Sequence, residues 1–386
     1  MFEINDHQRI VALLAESGIN RQQAELILSP VEIRAIRLKR IPDSSVELLQ
    51  QEMSKLGGVA VGWRDQFLKQ NLGDVLLLGT RHIYAALADR LAESPPTDSL
   101  ADELRLLLQE KPATGVMELP HGRNLTWGKK TLIMGIINRS PESFAENHRQ
   151  ENTAQALRRT LELVEEGADI IDIGGCSSRP GAEFVSLEEE RRRVLPLVEA
   201  LARHDVIISV DTFRAAVAAD AIAGGAHMIN NIGEWSLDPE LLPVLAEHNC
   251  PVVLMHNRMH IRHVSSGDLI GDMIADLDAA ITRAEAEGLK RDRIIVDPGV
   301  GFGPAGAEDR MIVKQLRAFR RWGLPILVGL SRKRFIGAEA GLLPQERLEG
   351  SLAAQTLAIA NGAHILRVHD VQAARRAAEV ADAILH

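Results

Sequence analysis

The chain has 386 residues, 46% hydrophobic and 25% charged, with a formal net charge of −9 at pH 7. This is the composition of an ordinary globular protein, and the acidic balance excludes an extended nucleic-acid surface. Two cysteines exclude a disulfide framework and point to a reducing, cytoplasmic setting. No apolar run reaches the length of a membrane span, and the N-terminus reads as an amphipathic helix rather than a signal peptide.

In chain order, helical patterns cover residues 6–17, 20–28 and 44–56, followed by two short apolar strands, "GVAVGW" and "DVLLLGT". Together they predict a small α/β domain of about one hundred residues. Pro95-Pro96, inside "LAESPPTDSLADE", cannot continue a helix and reads as a linker. After it, "ADELRLLLQEK" reads as a helix that could belong to either side. The first domain is expected to occupy residues 1–113 and a second one residues 114–386.

From residue 115 a rhythm of strands and helical patterns sets in. The strands are "TLIMGIIN", "ADIIDIGG", "VIISVD", "HMINNI", "PVVLMH", "RIIVDPG", "PILVGLS" and "HILRVH". Fully apolar, β-branched strands separated by helices imply parallel pairing with both faces buried. Ser186 with Glu189 forms a capping-box signal, and Gly288 marks a helix end. "VMELPHGRNLTWGKK" reads as a hairpin around His121-Gly122, placed to plug the N-terminal end of a barrel. Eight strands in about 270 residues fit a (β/α)8 TIM barrel. A doubly wound open sheet is the alternative, but no G-x-G-x-x-G follows the first strand.

In such a barrel the C-terminal strand ends face the active site. Here they carry Asn138, the Gly174–Arg179 loop, Asp211, Asn230 and Asn231, His256, Asp297, Ser331 to Lys333, and Arg367 with His369. Each alone is an ordinary turn residue; together they hold isolated carboxylates, amides, cations and a histidine. Arg367, His369 and Lys333 come from the seventh and eighth strands, where barrels often bind phosphate, and Arg179 could reach the same place. Asp211, Asn230 and Asp297 suit a flat heterocycle whose N–H groups need buried acceptors. His256, His260 and His263 have a spacing that zinc could use, as an alternative to a role in the fifth strand.

This constellation resembles the pterin-binding barrels, most closely the dihydropteroate synthase family of folate biosynthesis. The resemblance rests on "IMGIINRSPESF", "GADIIDIGGCSSRPGAEFVSLEEE", "ISVDT", "GAHMINNI", "VVLMH", "IIVDPGVGFG", "LVGLSRKRFIG", "ERLEGSLAA" and "GAHILRVHDV". The first domain is similar to the N-terminal extension of some longer synthases, through "QQEMSKLGG" and "GDVLLLGT". The resemblance implies a transferase that condenses 6-hydroxymethyl-7,8-dihydropterin diphosphate with p-aminobenzoate, with Mg2+ as cofactor, sulfonamides as inhibitors and a homodimer as the assembly.

By the same resemblance, Asp211, Asn230, Asp297 and Lys333 hold the pterin, lined by Ile232, Met255, Phe302 and Gly329. Arg179, Arg367 and His369 hold the pyrophosphate, and Asn138 does so through magnesium. Phe144, Ser178, Pro180, Ser331 and Arg332 serve p-aminobenzoate, whose carboxylate would sit at the N-terminus of the helix after strand seven. Asp211, Lys333, Arg179, Arg367 and His369 are the expected catalytic set. The chain departs from the family pattern in its loops. Glu146-Asn147-His148 stands where Asp-Gly-Gly is usual, Cys176 where Glu is usual, Ser178 where Thr is usual, Asn231 where Asp is usual and Pro304 where Lys is usual. These changes predict weaker p-aminobenzoate handling with pterin binding intact. A pterin-dependent methyltransferase, a synthase for another arylamine and a non-catalytic pterin-binding paralogue are the alternative readings.

Overall fold

The computed structural model describes residues 33–64, 72–92, 98–108, 114–139, 149–176, 185–233, 235–258, 268–303, 306–337 and 340–385. The patterns at 6–17 and 20–28, Pro95-Pro96, and the site positions Phe144, Ser178, Arg179 and Pro180 lie outside these residues. So do His260, His263 and Pro304. The chain divides into two compact units, Met1–Glu110 and Lys111–His386.

The first unit contains β1 (Ile33–Pro42), α1 (Asp43–Lys55), β2 (Val59–Arg64), β3 (Leu72–Thr80), α2 (Arg81–Ala92) and α3 (Asp98–Leu108). Its sheet is antiparallel in the order β1-β3-β2. Strand β1 was not legible in the sequence, because its apolar residues are interleaved with Arg34, Arg37 and Arg40. Period-two alternation on β3 buries Val75 and Leu77 against Leu49 and Met53 of α1 and Tyr84, Leu87 and Leu91 of α2. Ala101 and Leu104 of α3 join the same core, which assigns the helix that the sequence left open to this unit.

The second unit opens with the predicted hairpin, β4 (Gly115–Leu119) and β5 (Arg123–Trp127), turning at Pro120–Gly122 with His121 and Gly122 at positive φ. Eight parallel strands follow: β6 (Leu132–Asn138), β7 (Ile170–Gly174), β8 (Ile207–Asp211), β9 (Met228–Asn231), β10 (Val252–Met255), β11 (Ile294–Asp297), β12 (Leu327–Val328) and β13 (Ile365–Val368). Their order is β11-β10-β9-β8-β7-β6-β13-β12, and a parallel bridge from Val296 to Ile326 closes the ring. A closed barrel replaces the open-sheet alternative. Around it run α4 (Arg149–Glu165), α5 (Leu187–Leu201), α6 (Ala215–Ala223), α7 (Leu241–Glu247), α8 (Leu269–Ala286), α9 (Ala307–Lys314), α10 (Arg334–Gly337), α11 (Leu348–Ala360) and α12 (Val371–Leu385). Ser186 caps α5 by accepting from the Glu189 amide at 3.2 Å, while the Glu189 carboxylate is taken by Arg192 and Arg193.

Two apolar layers hold the barrel. Outward strand residues such as Ile171, Ile208 and Val296 pack under the helices. Inward residues Ile170, Met228, Val253, Ile295, Leu327 and Ile365 pack against Met117, Leu119, Leu125 and Trp127 of the hairpin. The hairpin therefore seals the N-terminal end, as the sequence predicted.

The same end carries a repeated device. The tripeptide Gly-Ala-Asp or Gly-Ala-His stands just before β7, β9 and β13, and its glycine (Gly167, Gly225 and Gly362) has φ between 99° and 112°. The third residue exchanges two hydrogen bonds with the start of the preceding strand segment. Asp169 N–H donates to Ile133 O and its Oδ2 accepts the Ile133 N–H at 2.8 Å. His227 Nδ1 accepts the Ile208 N–H at 3.0 Å, and His364 Nδ1 accepts the Ile326 N–H at 2.9 Å. Each acceptor pairs an amide at the sheet's end that would otherwise be buried without a partner. Burial, with lesser help from nearby cations, holds His227 and His364 down at about 4, so both are neutral acceptors near pH 7.

Candidate active site

One inward step beyond the apolar floor, the barrel lining turns polar. Two residues after Ile170 comes Asp172, after Met228 Asn230, after Ile295 Asp297 and after Ile365 Arg367. Strand alternation guarantees that each shares its predecessor's face. These groups open into a pocket lined by Ile136, Asn230, Ile232, Met255, Asp297, Val300, Phe302, Gly329, Ser331, Lys333, Arg367 and His369.

A charged network lies at its base. Arg367 Nε donates to Asp172 Oδ2 at 2.6 Å, and Arg367 Nη2 donates to Asp211 Oδ2 at 2.7 Å. Asn230 Nδ2 donates to Asp172 Oδ2 at 3.0 Å, and Ser209 Oγ donates to Asp172 Oδ1 at 2.6 Å. Burial pushes Asp211 up to about 7, with Arg367 pulling the other way and Asp172 adding to the rise. Burial works against the Arg367 charge too, but Asp172 and Asp211 outweigh it and hold its pKa above the usual arginine value.

On the opposite wall, Asp297 Oδ1 accepts the Gly299 N–H at 2.7 Å, and burial raises its carboxyl to about 6 against that bond. Lys333 Nζ stands 4.2 Å from the Phe302 ring centroid. Its ammonium is lowered to about 8 by burial, opposed by Asp297. Gly301, at φ +83°, makes room for it: a Cβ there would lie 2.7 Å from Lys333 Cδ. At the rim, the His369 N–H donates to Ser331 Oγ at 3.2 Å and its Nδ1 lies 3.1 Å from the same oxygen.

The structure thus brings together Asn230, Ile232, Met255, Asp297, Phe302, Gly329, Ser331, Lys333, Arg367 and His369 in one pocket, and Asp211 joins through Arg367. Asn138 is exposed at the end of β6. Three expectations shift. Arg332 does not line the pocket; its guanidinium forms a two-point pair with Asp370. The helix after strand seven is the four-residue α10, too short to build much of a dipole. Arg367, expected at the pyrophosphate, has two of its three nitrogens, Nε and Nη2, held by Asp172 and Asp211.

Two strand-end residues point elsewhere. His256 Nε2 is bonded to Asp276 of α8 at 2.8 Å, and Asn231 Oδ1 accepts the Gly233 N–H at 2.9 Å. Among the described residues no cluster of three or more His, Cys, Asp or Glu could hold a metal. Cys176 is a free thiol whose pKa is raised by burial, which leaves it a poor nucleophile. Asp172 and Ser209 were missed in the sequence, since "DIIDIGG" reads as an apolar run. Its signal was available: a lone carboxylate at an inward position of a buried strand.

Residues 134–369 match the family described as pterin binding enzyme. The dihydropteroate synthase of Bacillus subtilis is 43% identical over 263 residues, 68% of this chain and 91% of its own length. The structure of a Xanthomonas albilineans dihydropteroate synthase with 4-aminobenzoic acid superposes with a TM-score of 0.65 at 40% identity, covering 72% of this chain and 99% of that one. A Halobacterium salinarum protein named "Probable bifunctional folylpolyglutamate synthase/dihydropteroate synthase" is 36% identical over 353 residues, 89% of this chain and 42% of its own length. A match of that length runs beyond the barrel into the first unit. With this fold, this pocket and these relatives, the chain belongs to the dihydropteroate synthase family of pterin-binding enzymes.

Proposed function

We propose that the barrel mouth condenses 6-hydroxymethyl-7,8-dihydropterin diphosphate with p-aminobenzoate, giving 7,8-dihydropteroate and pyrophosphate for folate biosynthesis. The observation that carries this reading is the polarity of the pocket. Asn230 and Asp297 offer acceptors to ring N–H groups, Lys333 offers a donor to a ring carbonyl or nitrogen, and Met255, Ile232, Phe302 and Gly329 supply flat apolar walls. That is the complement of a 2-amino-4-oxo heterocycle.

The reaction breaks the C–O bond to the diphosphate and forms a C–N bond to the arylamine. Negative charge grows on the leaving oxygens and positive charge on the pterin methylene. Arg367 and His369 are assigned to the first, together with Arg179 of the second loop. Asp211 balances the second from the base of the pocket. No covalent intermediate is required. The amine attacks as a neutral nucleophile, and its proton leaves with solvent or pyrophosphate.

Asn138 fits Mg2+ by donor chemistry: a neutral amide oxygen at an exposed strand end suits a hard cation that takes few protein oxygens and fills its shell with phosphate and water. When bound, the ion neutralises charge on the leaving group. Phe144, Ser178, Pro180 and Ser331 are assigned to the arylamine, while the Arg332 guanidinium is committed to Asp370. The assembly is a homodimer, favoured by Leu357, Val380 and Ile384, which are 60%, 61% and 78% exposed on the packed pair α11 and α12; a solution mass of one chain would remove it. The reaction belongs in the cytoplasm, consistent with two cysteines that form no disulfide.

Incubation with the pterin diphosphate, Mg2+ and radiolabelled p-aminobenzoate tests the whole reading. Labelled dihydropteroate supports it, and its absence from protein that binds the pterin diphosphate favours a binding paralogue. The pyrophosphate set of Arg179, Arg367 and His369 argues against a methyltransferase, which has no pyrophosphate to hold.

A further inference from the structure

Asp172 joins three polar side chains beneath the pocket, yet it does not line the pocket itself. Its side chain is fully buried and accepts from Ser209, Asn230 and Arg367. We propose that Asp172 is a positioning residue that sets the hydrogen-bonding polarity of Asn230 and the orientation of Arg367 toward the pterin. The inference rests on the functional reading above and adds a residue to it.

An amide has two faces, one donating and one accepting, and rotation of its terminal bond exchanges them. A carboxylate only accepts. Asp172 Oδ2 therefore holds the Asn230 NH2 against itself, and Asn230 Oδ1 is the atom left to meet a ring N–H. The same oxygen takes Arg367 Nε, so the guanidinium reaches Asp211 with Nη2 alone. Without Asp172, Arg367 could form a two-point pair with Asp211. That pair would neutralise the carboxylate proposed to face the methylene cation and would rotate the guanidinium out of its present orientation. Ser209, one strand over, fixes the second oxygen of Asp172 and hence its plane.

Asp172→Asn keeps the volume but offers Asn230 both a donor and an acceptor, so the Asn230 amide is no longer held one way. The expected result is a ten- to hundredfold rise in pterin diphosphate KM and a matching rise in its calorimetric Kd. The p-aminobenzoate KM should stay within about twofold. Misfolding alone would lower the active fraction and leave both KM values unchanged. Combining Asp172→Asn with Asn230→Ala should cost clearly less than the product of the single effects, because one acts through the other.

If Asp172→Asn does not fold, Ser209→Ala removes a single support of Asp172 and no pocket group. It should raise the pterin KM about threefold or more, again with the amine KM unmoved. An unchanged pterin KM, or fully multiplicative effects with Asn230→Ala, would overturn the proposal. Unmodified protein that fails to bind the pterin diphosphate would instead remove the functional reading itself.

Discussion

Lys333 and Asp211 owe their chemistry to burial, which moves each from its ordinary pKa, while an oppositely charged neighbour on another strand pulls back. Lys333 lies between the Phe302 face and the Asp297 carboxylate, with its charge opposed by desolvation. A ring carbonyl or nitrogen placed at its Nζ would supply the hydrogen bond that burial denies it from water. Lys333→Ala and Asp211→Asn should each lower turnover by about a hundredfold, the usual effect of losing one charged contact. Circular dichroism should remain native, because Lys333 lines the pocket and Asp211 lies in the polar layer beneath it, both apart from the apolar floor. Near-normal turnover in both variants would show that the pterin is held elsewhere. Arg367 behaves differently from either: two carboxylates hold it in place before any ligand arrives.

At the level of elements, the Gly-Ala-Asp and Gly-Ala-His starts of β7, β9 and β13 predict how the barrel responds to acid. His227 and His364 have folded pKa values of about 4 against an ordinary 6.5. Their contribution is complete above 6.5 and is lost as pH falls toward 4, because only the unfolded chain takes up the protons in that window. The limit is about 3 kcal/mol for each histidine. Asp211 and Asp297, raised in the folded state, act in the opposite sense over an overlapping range, so the test compares variants. In His364→Asn the amide oxygen can still accept the Ile326 N–H, but nothing titrates. Denaturant midpoints measured from pH 7 to pH 4.5 should fall less steeply in this variant than in the wild type. Equal slopes would mean that His364 titrates freely.

For the whole molecule, the two units have separate cores. Leu49, Met53, Leu77, Tyr84 and Leu104 belong to the first. The barrel closes its own floor with β4 and β5, using Met117, Leu119, Leu125 and Trp127. A fragment beginning at residue 114 should therefore fold and bind the pterin diphosphate with the affinity of the full chain. Calorimetry on that fragment decides the matter: loss of binding in a well-folded sample would mean that the first unit completes the site. The Halobacterium match, long enough to enter the first unit, places the two units together in at least one relative.

How much of this was legible in the sequence follows from the range of the forces involved. Strand and helix alternation, the sealing hairpin and the polar strand ends depend on neighbours a few residues apart. They could be read from periodicity and turn chemistry, and so could Asn230, Asp297, Lys333 and Arg367 as residues of a common mouth. Strand β1 escaped because its charges interrupt the pattern, and Asp172 because a single carboxylate in an apolar strand looks like noise. What only the tertiary structure decided is which polar groups spend their hydrogen bonds on one another. His256 turns to Asp276, Arg332 to Asp370, and Arg367 to Asp172 and Asp211. Those partners lie between 20 and 195 residues away in the chain. A hydrogen bond acts over about 3 Å and is indifferent to sequence separation, so pairing at that distance is settled only when the strands close into a ring.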